Sequence, residues 1–343
     1  WLPDTDQNNF YIYKNILHQF SEADLEIIKK DWETIVNKIR AGKAHELSEG
    51  DTNYLGACTK GANKSSLRHQ PYSDILAMQR AFSLKSSYMT AIMRKHLMQE
   101  DLVGFAHADE LKAKSLEELL EDRFAPYVGM TVKKIAEKIN IEYKPKAKHF
   151  NATLVSALLG VKGTRLDSIE EFAKANIQFK TVRLEPSGKP QESMSFEQID
   201  FNQWTTETWE DSFIRQKFLE TKFLFVVFEY KETKKQNPNR DLYLKGIKLW
   251  NMPLPIIDTK IKEVWEEVNR VINEGIKLDY KKQKNGIIET NNLPKSNFNG
   301  VAHIRPKARD GKDKIIIPTG EKITKQCFWL NSTFIAEITR DMQ

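Results

Sequence analysis

Glu171, Gln178 and Lys180 carry the spacing of a metal-dependent nuclease strand with one group changed. In an extended strand, residues two apart share a face, so Gln178 and Lys180 point the same way. One large class of nucleases needs an acid and then acid-x-lysine on such a strand. The carboxylates hold Mg2+ through hard anionic oxygens. The lysine orients and activates the attacking water while the metal offsets charge developing on the phosphate. Here the middle position is an amide, a poorer Mg2+ ligand, and Gln-x-Lys by spacing alone is common on exposed strands. A rival acid-x-lysine, Glu229-Tyr230-Lys231 with Asp211 upstream, closes a dense apolar run and reads as the solvated end of a core strand. The histidines, at 18, 45, 69, 96, 107, 149 and 303, form no ligand pattern. His303 reads as a solvated side chain in a basic loop, with a phosphate-facing role as the alternative. No Gly-x-Gly-x-x-Gly, phosphate-binding loop or His-Glu-x-x-His is present.

Two basic loops are the other candidates. Lys60, Lys64 and Arg68 crowd one; Arg305, Lys307 and Arg309 crowd the other. Each precedes a strand–helix that carries Lys85 or Asn331. Lysine and arginine can address guanine N7 and O6 in the major groove, and asparagine can address adenine. A single such loop reads as a solvated basic turn. Its recurrence favours a function, because the loops belong to a larger repeat. Trp32 and Trp265 each lie ten residues before a glycine, Gly42 and Gly275, that ends an amphipathic helix. Phe82-Ser83-Leu84-Lys85-Ser86-Ser87-Tyr88 then answers Phe328-Trp329-Leu330-Asn331-Ser332-Thr333-Phe334 in the same order. One module written twice suggests a fused pseudo-dimer and a partner with two-fold symmetry.

The elements that position these residues follow from capping and periodicity. Ser21 with Asp24 opens a helix whose apolar positions are Leu25, Ile28, Trp32, Ile35, Val36 and Ile39, ended by Gly42. Residues 43–79 read as loops over short strands, Ala81–Leu84 as a strand and Ser86–Met98 as a helix. Residues 99–114 read as a charged linker. Ser115 with Glu118 is a capping box that opens the second domain. Helices are expected near 131–140, 151–159 and 260–272, and strands at Ile177–Leu184 and Phe223–Tyr230. Thus 1–98 hold only the end of a first module and 115–343 a complete second one.

Composition sets limits. The chain has 343 residues, 40% hydrophobic and 29% charged, enough for two globular domains. A net charge of +6 leans toward an acidic partner such as nucleic acid. Cys58 and Cys327 have no metal-like spacing and read as reduced thiols. No run approaches a membrane span, and no signal-like segment is seen. The chain begins at Trp1, and a fragment of a longer cytoplasmic protein is expected.

Several longer runs match a family. Gly42-Lys43-Ala44-His45-Glu46-Leu47-Ser48-Glu49-Gly50, Thr59-Lys60-Gly61-Ala62-Asn63, Gln70-Pro71-Tyr72-Ser73-Asp74 and Arg80-Ala81-Phe82-Ser83-Leu84-Lys85 carry the resemblance, with Lys180-Thr181-Val182-Arg183-Leu184 and Glu192-Ser193-Met194-Ser195-Phe196. The chain resembles the MutH mismatch-repair nicking endonucleases and, more closely, the staphylococcal-type restriction endonucleases that cut at GATC. The resemblance implies an α/β, mixed α+β, restriction-endonuclease fold: a mixed central sheet flanked by helices, pseudo-duplicated. It implies an enzyme in which an upstream acid…acid-x-lysine half cuts with Mg2+, while the later domain serves as an effector DNA site that binds no metal. The family's reading lysine falls on Lys60 and Lys307, and the arginine two residues earlier falls on Arg305 but on Cys58 in the first copy. The family's acids fall on Glu171, Gln178 and about Ser156, so the later site is degenerate. The expected partners are duplex GATC DNA and the cutting half, with dimerisation on DNA as a further expectation. Two alternatives stand beside this effector reading: a second domain that itself cuts with Mg2+, and one that only scaffolds the cutting half.

Overall fold

A computed structural model describes residues 2–3, 10–12, 14–60, 66–147, 149–283 and 286–342. The chain forms two compact units. The first comprises Trp1–Tyr127, Lys133–Phe179 and Thr221–Leu224; the second comprises Val128–Val132, Lys180–Glu220 and Phe225–Gln343. Among the described residues no helix is long and apolar enough to cross a membrane.

In the first unit, helix α1 (Glu22–Arg40) opens with the Ser21–Asp24 capping box. Its buried face is Asp24, Ile27, Asp31 and Ile35, whereas Leu25 and Trp32 are exposed. This corrects the apolar stripe expected from spacing. The helix is turned by its two acids, which have buried work to do. Asp31 accepts the backbone N–H groups of Asn53, Tyr54 and Leu55 at 2.8, 2.6 and 2.9 Å, a set of donors that would otherwise be left buried and unpaired. Asp24 meets the Lys174 ammonium at 2.5 Å and the Tyr88 hydroxyl at 3.0 Å. Gly42 ends the helix at φ +72°, and a Cβ there would lie 2.5 Å from the Tyr72 carbonyl oxygen.

Strands β1 (Leu55–Thr59) and β4 (Arg80–Leu84) pair antiparallel around the hairpin β2 (Leu67–Gln70) and β3 (Ser73–Met78). Helix α2 (Ser86–Leu97) follows. The stretch 99–114 is not a bare linker. Phe105 and Leu111 are buried, and α3 (Ala108–Ala113) packs against α1. Helices α4 (Leu116–Phe124), α5 (Val132–Lys138), α6 (Phe150–Leu158) and α7 (Glu170–Ala175) come next. Lys174 of α7 is held by Asp24, so most of 115–179 belongs to the same compact unit as α1 and α2. The chain therefore does not part at 99–114, as the sequence reading expected. Asn176, in the left-handed region at φ 53°, turns α7 into β5 (Ile177–Leu184).

A three-stranded sheet runs in the order β8 (Leu242–Trp250), β7 (Lys222–Tyr230), β5. Phe223 to Phe228 of its central strand are fully buried, as a run without polar alternation requires. In the second unit, β6 (Met194–Gln198) and α8 (Phe213–Glu220) precede α9 (Lys262–Glu274), which buries Val264, Val268, Val271 and Ile272 and ends at Gly275, φ +95°. The hairpin of β9 (Leu278–Gln283) and β10 (Gly286–Asn291) has no counterpart in the sequence reading. A second three-stranded sheet runs β11 (Ala302–Pro306), β12 (Gln326–Leu330), β6, and α10 (Ser332–Ile338) follows β12.

The repeat is structural. In the first unit Lys60 N–H donates to Gln79 O at 2.8 Å and Lys85 N–H to Tyr54 O at 2.9 Å. In the second, Lys307 N–H donates to Lys325 O at 3.0 Å and Asn331 N–H to Val301 O at 2.8 Å. These bonds bracket the β1–β4 and β11–β12 ladders identically, which equates Lys60 with Lys307 and Lys85 with Asn331.

Candidate nucleic-acid interface

The second basic loop leaves β11 with Arg305, Pro306 and Lys307 all exposed. Trp329, on the neighbouring strand β12, organises it. Its indole N–H donates to the Arg305 carbonyl at 3.2 Å, and the Arg305 guanidinium and Lys307 ammonium lie 5.2 and 5.7 Å from its ring. Lys307 Nζ donates to Ser195 Oγ at 2.6 Å. Lys180 Nζ donates to the carbonyl of the same serine at 3.3 Å and sits 4.5 Å from the Phe196 ring centre. Lys180, Arg183, Ser193, Ser195, Lys307 and Trp329 line one cleft of about 410 Å³. Burial pushes the Lys180 ammonium down to about 8; Glu197 opposes the shift, and Lys217 and Lys307 add to it. A cleft with converging cations, two serine hydroxyls and an aromatic face can take a phosphate-bearing chain.

The two residues at the head of the following helices are not on this surface. Asn331 is buried, with its side-chain oxygen 2.5 Å from His303 Nδ1 and its amide donating to the Ser296 carbonyl at 2.7 Å. His303 is itself buried and stacks 6.3 Å from Trp329, which corrects the expectation of a solvated histidine; burial lowers its pKa. In the first unit Lys85 is buried, donating to the carbonyls of Glu49 and Thr52, each at 2.5 Å. Both residues occupy the helix N-cap with extended backbone, so both brace the loop behind them. Lys60 and Arg68 are exposed. Residues 61–65, including Lys64, lie outside the described residues.

The strand motif is dispersed. Gln178 and Ser156 line a cleft of about 570 Å³ in the first unit with His149, Thr153 and Arg165. Ser156 Oγ donates to the Thr153 carbonyl at 3.1 Å. Glu171 is buried, and its two carboxylate oxygens accept the backbone N–H groups of Phe105 and Ala106, each at 3.1 Å; burial raises its pKa. The rival motif is a strand end, as expected: Glu229 pairs with Lys245 at 2.7 Å, and Lys231 covers the Tyr243 ring at 4.3 Å.

Residues 164–263 match the family model described as DNA mismatch repair enzyme MutH. The type II restriction enzyme Sau3AI of Staphylococcus aureus is 36% identical over 374 aligned residues, taking in 100% of this chain and 76% of that enzyme. The chain belongs to this MutH-like restriction endonuclease family. The MutH match covers α7 through the start of α9, and hence Glu171, Gln178 and Lys180, while the Arg305–Lys307 loop lies beyond it. Restriction endonucleases of this kind generally use Mg2+. The residues that the sequence resemblance sets in the acid positions do not fit that ion. Gln178 and Ser156 offer neutral oxygens, and the Glu171 carboxylate is already taken by two amides. Among the described residues no group of three His, Cys, Asp or Glu could hold a metal. Sequence reasoning missed Ser195 and Trp329 as site residues. The only signal was polar alternation at Ser193 and Ser195, and a tryptophan where the first copy has Ser83.

Proposed function

We propose that this chain is a DNA-binding effector portion of a type II restriction endonuclease, recognising duplex GATC without cutting it. The observation that carries the reading is the divergence of two sets of residues. The acid positions have lost their metal chemistry, with Glu171 tied to the backbone and Gln178 and Ser156 neutral. The loop of Arg305 and Lys307 remains exposed and braced by Trp329 over an open cleft. In this reading Arg305 and Lys307, with Lys60 and Arg68 in the first copy, face DNA. Lys85 and Asn331 hold the loops from behind. The residues that cut with Mg2+ lie in another part of the enzyme.

The test pairs cleavage with binding. The chain with Mg2+ is expected to leave GATC plasmid intact and to bind a GATC duplex more tightly than a scrambled one. Lys307→Ala removes a side chain placed to read a base edge, a contact worth roughly 1–3 kcal/mol of discrimination. It should relax the preference, whereas Arg309→Ala should weaken both duplexes alike. Equal loss on both duplexes with Lys307→Ala would refute base reading. Mg2+-dependent cutting abolished by Lys180→Ala would favour the nuclease alternative.

A further inference from the structure

A second cavity, of about 450 Å³, lies beside the Arg305 loop, walled by β10, by β11 and by the segment that carries Lys295 and Ser296. That segment is tied to β11, where Ile304 N–H donates to the Pro294 carbonyl at 2.8 Å. Ser193 lines both this cavity and the Lys180–Lys307 cleft, so the two adjoin. The charges on its walls do not cancel. Glu289 is engaged within the protein: one carboxylate oxygen accepts from the Lys314 ammonium and the other from Thr324 N–H, each at 2.7 Å. Lys295 and Arg305 are exposed, and neither forms an ion pair among the described residues. Two such cations at one cavity favour an anionic ligand group.

His303 supplies a neutral acceptor. It is 5% exposed and lines the cavity. The Asn331 amide donates to the Ser296 carbonyl at 2.7 Å, which turns its oxygen to His303 Nδ1 at 2.5 Å. Nδ1 therefore carries the proton. In the neutral ring, which burial favours, Nε2 keeps its lone pair. A buried acceptor is stabilised by an N–H brought to it. An aliphatic amine would bring a third cation beside Lys295 and Arg305, whereas the amino group of a base donates without charge.

The first copy of the module has no such site. By ladder register Gly56 stands where the second copy has His303. A Cβ on Gly56 would collide with the Glu49 carboxylate, so an acid occupies that space in the first copy. Gly42 and Cys58 are 16 positions apart, and their counterparts Gly275 and Arg305 are 30 apart. The 14 additional positions equal the span 278–291 of the β9–β10 hairpin, whose last residues form a wall of the cavity. Wall and acceptor belong to the second copy alone, so the shared fold of the module does not require them.

We propose that this cavity is a nucleotide site, in which His303 Nε2 accepts an N–H from the amino group of an adenine or cytosine base while Lys295 and Arg305 hold the phosphate. Two sources supply that chemistry: a free mononucleotide, or a nucleotide turned out of a bound duplex. The first is independent of the proposed reading of GATC, and the second rests on it.

Two measurements on the chain test the site. Equilibrium dialysis compares dAMP and dCMP with purine deoxyribonucleoside monophosphate, which lacks the amino group. Fluorescence follows GATC duplexes that carry 2-aminopurine in turn at each adenine and beside each cytosine. Saturable binding of dAMP or dCMP, with the analogue at least about tenfold weaker, assigns the free nucleotide. A fluorescence rise without dialysis binding assigns the extruded one. His303→Phe keeps an aromatic ring beside Trp329 and removes Nε2; it should weaken whichever response is seen by at least about tenfold, with the melting temperature nearly unchanged. Lys295→Ala should weaken the same response, and it carries the test if the histidine variant does not fold. Neither response, or a response that both variants leave unchanged, would overturn the site. Tight binding of the GATC duplex with no such response would leave the proposed reading standing and remove the site; nucleotide binding without duplex binding would do the reverse.

Discussion

Lys180 and Lys307 converge on opposite groups of one residue: the first holds the Ser195 carbonyl at 3.3 Å and the second the Ser195 hydroxyl at 2.6 Å. Like charges brought to one serine in a partly desolvated cleft repel each other, and a phosphodiester entering it would relieve both. In the proposed reading the strand lysine keeps a use as a fixed cation beside the Arg305–Lys307 loop.

That arrangement has a cost measurable in stability. Burial depresses the Lys180 pKa to about 8 from an ordinary value near 10.5, so from pH 8 to 10.5 the unfolded chain binds more protons than the folded one. Stability at this site is lowest below pH 8 and recovers as pH rises through that window. Lys180→Met should therefore stabilise the free chain at pH 7 by about 1–2 kcal/mol, discounted for the side chain's partial exposure, and the gain should vanish toward pH 10. Urea unfolding of both proteins across that range checks the sign. A Met variant no more stable at pH 7 would mean that the lysine is not strained.

The Lys174–Asp24 pair should behave in the opposite manner. Both side chains are buried, and Asp24 also takes the Tyr88 hydroxyl at 3.0 Å. Removing one partner leaves a buried charge without its counterion, a loss of about 3–5 kcal/mol. Lys174→Met should lower stability by that order, and adding Asp24→Asn should return a large part of it. Thermal melts of the two single variants and the double variant give the coupling. Additive losses would show that the pair does not act as a unit.

What the sequence disclosed, and what it hid, follows the reach of the interactions. Ser21–Asp24 and Ser115–Glu118 close their capping boxes within three residues, so both helix starts were readable, as was the whole of β5. The inward face of α1 was not, because Asp31 is satisfied by amides more than twenty residues away and Asp24 by a lysine 150 residues on. Lys85 and Asn331 looked like surface readers for the same reason. Their partners are backbone carbonyls and a histidine ring, which leave no mark on residue type. The basic loops and their repetition were visible; the serine and tryptophan that organise the second were not.

Restoring one acid should not restore a metal site. Gln178→Glu supplies a carboxylate, but Ser156 remains a hydroxyl engaged with Thr153 and the Glu171 oxygens remain bonded to Phe105 and Ala106. One new carboxylate beside a neutral hydroxyl and an engaged glutamate makes a weaker Mg2+ site than two free carboxylates would. The variant is expected to show no plasmid nicking above background with Mg2+ or Mn2+. Metal-dependent nicking by this single substitution would mean that Glu171 can leave its amides.

If the second module reads GATC without cutting, as proposed, its occupancy should be felt in the enzyme as coupling. If occupancy of the Arg305–Lys307 cleft favours the cutting conformation, DNA must bind there more tightly in that conformation, typically by about 1–3 kcal/mol, or some five- to 150-fold. Cleavage of DNA with one GATC should then accelerate when an uncleavable GATC duplex is added in trans, up to the point where the duplex competes for the cutting site. Arg305→Ala with Lys307→Ala should abolish the acceleration and slow cleavage of two-site DNA, although in the proposed reading neither residue belongs to the cutting site. Trp329→Leu should weaken the effect in part, since the indole holds the Arg305 carbonyl and faces both cations without itself reading a base. No acceleration at any duplex concentration, together with unchanged cleavage by the double variant, would leave the second module as a scaffold.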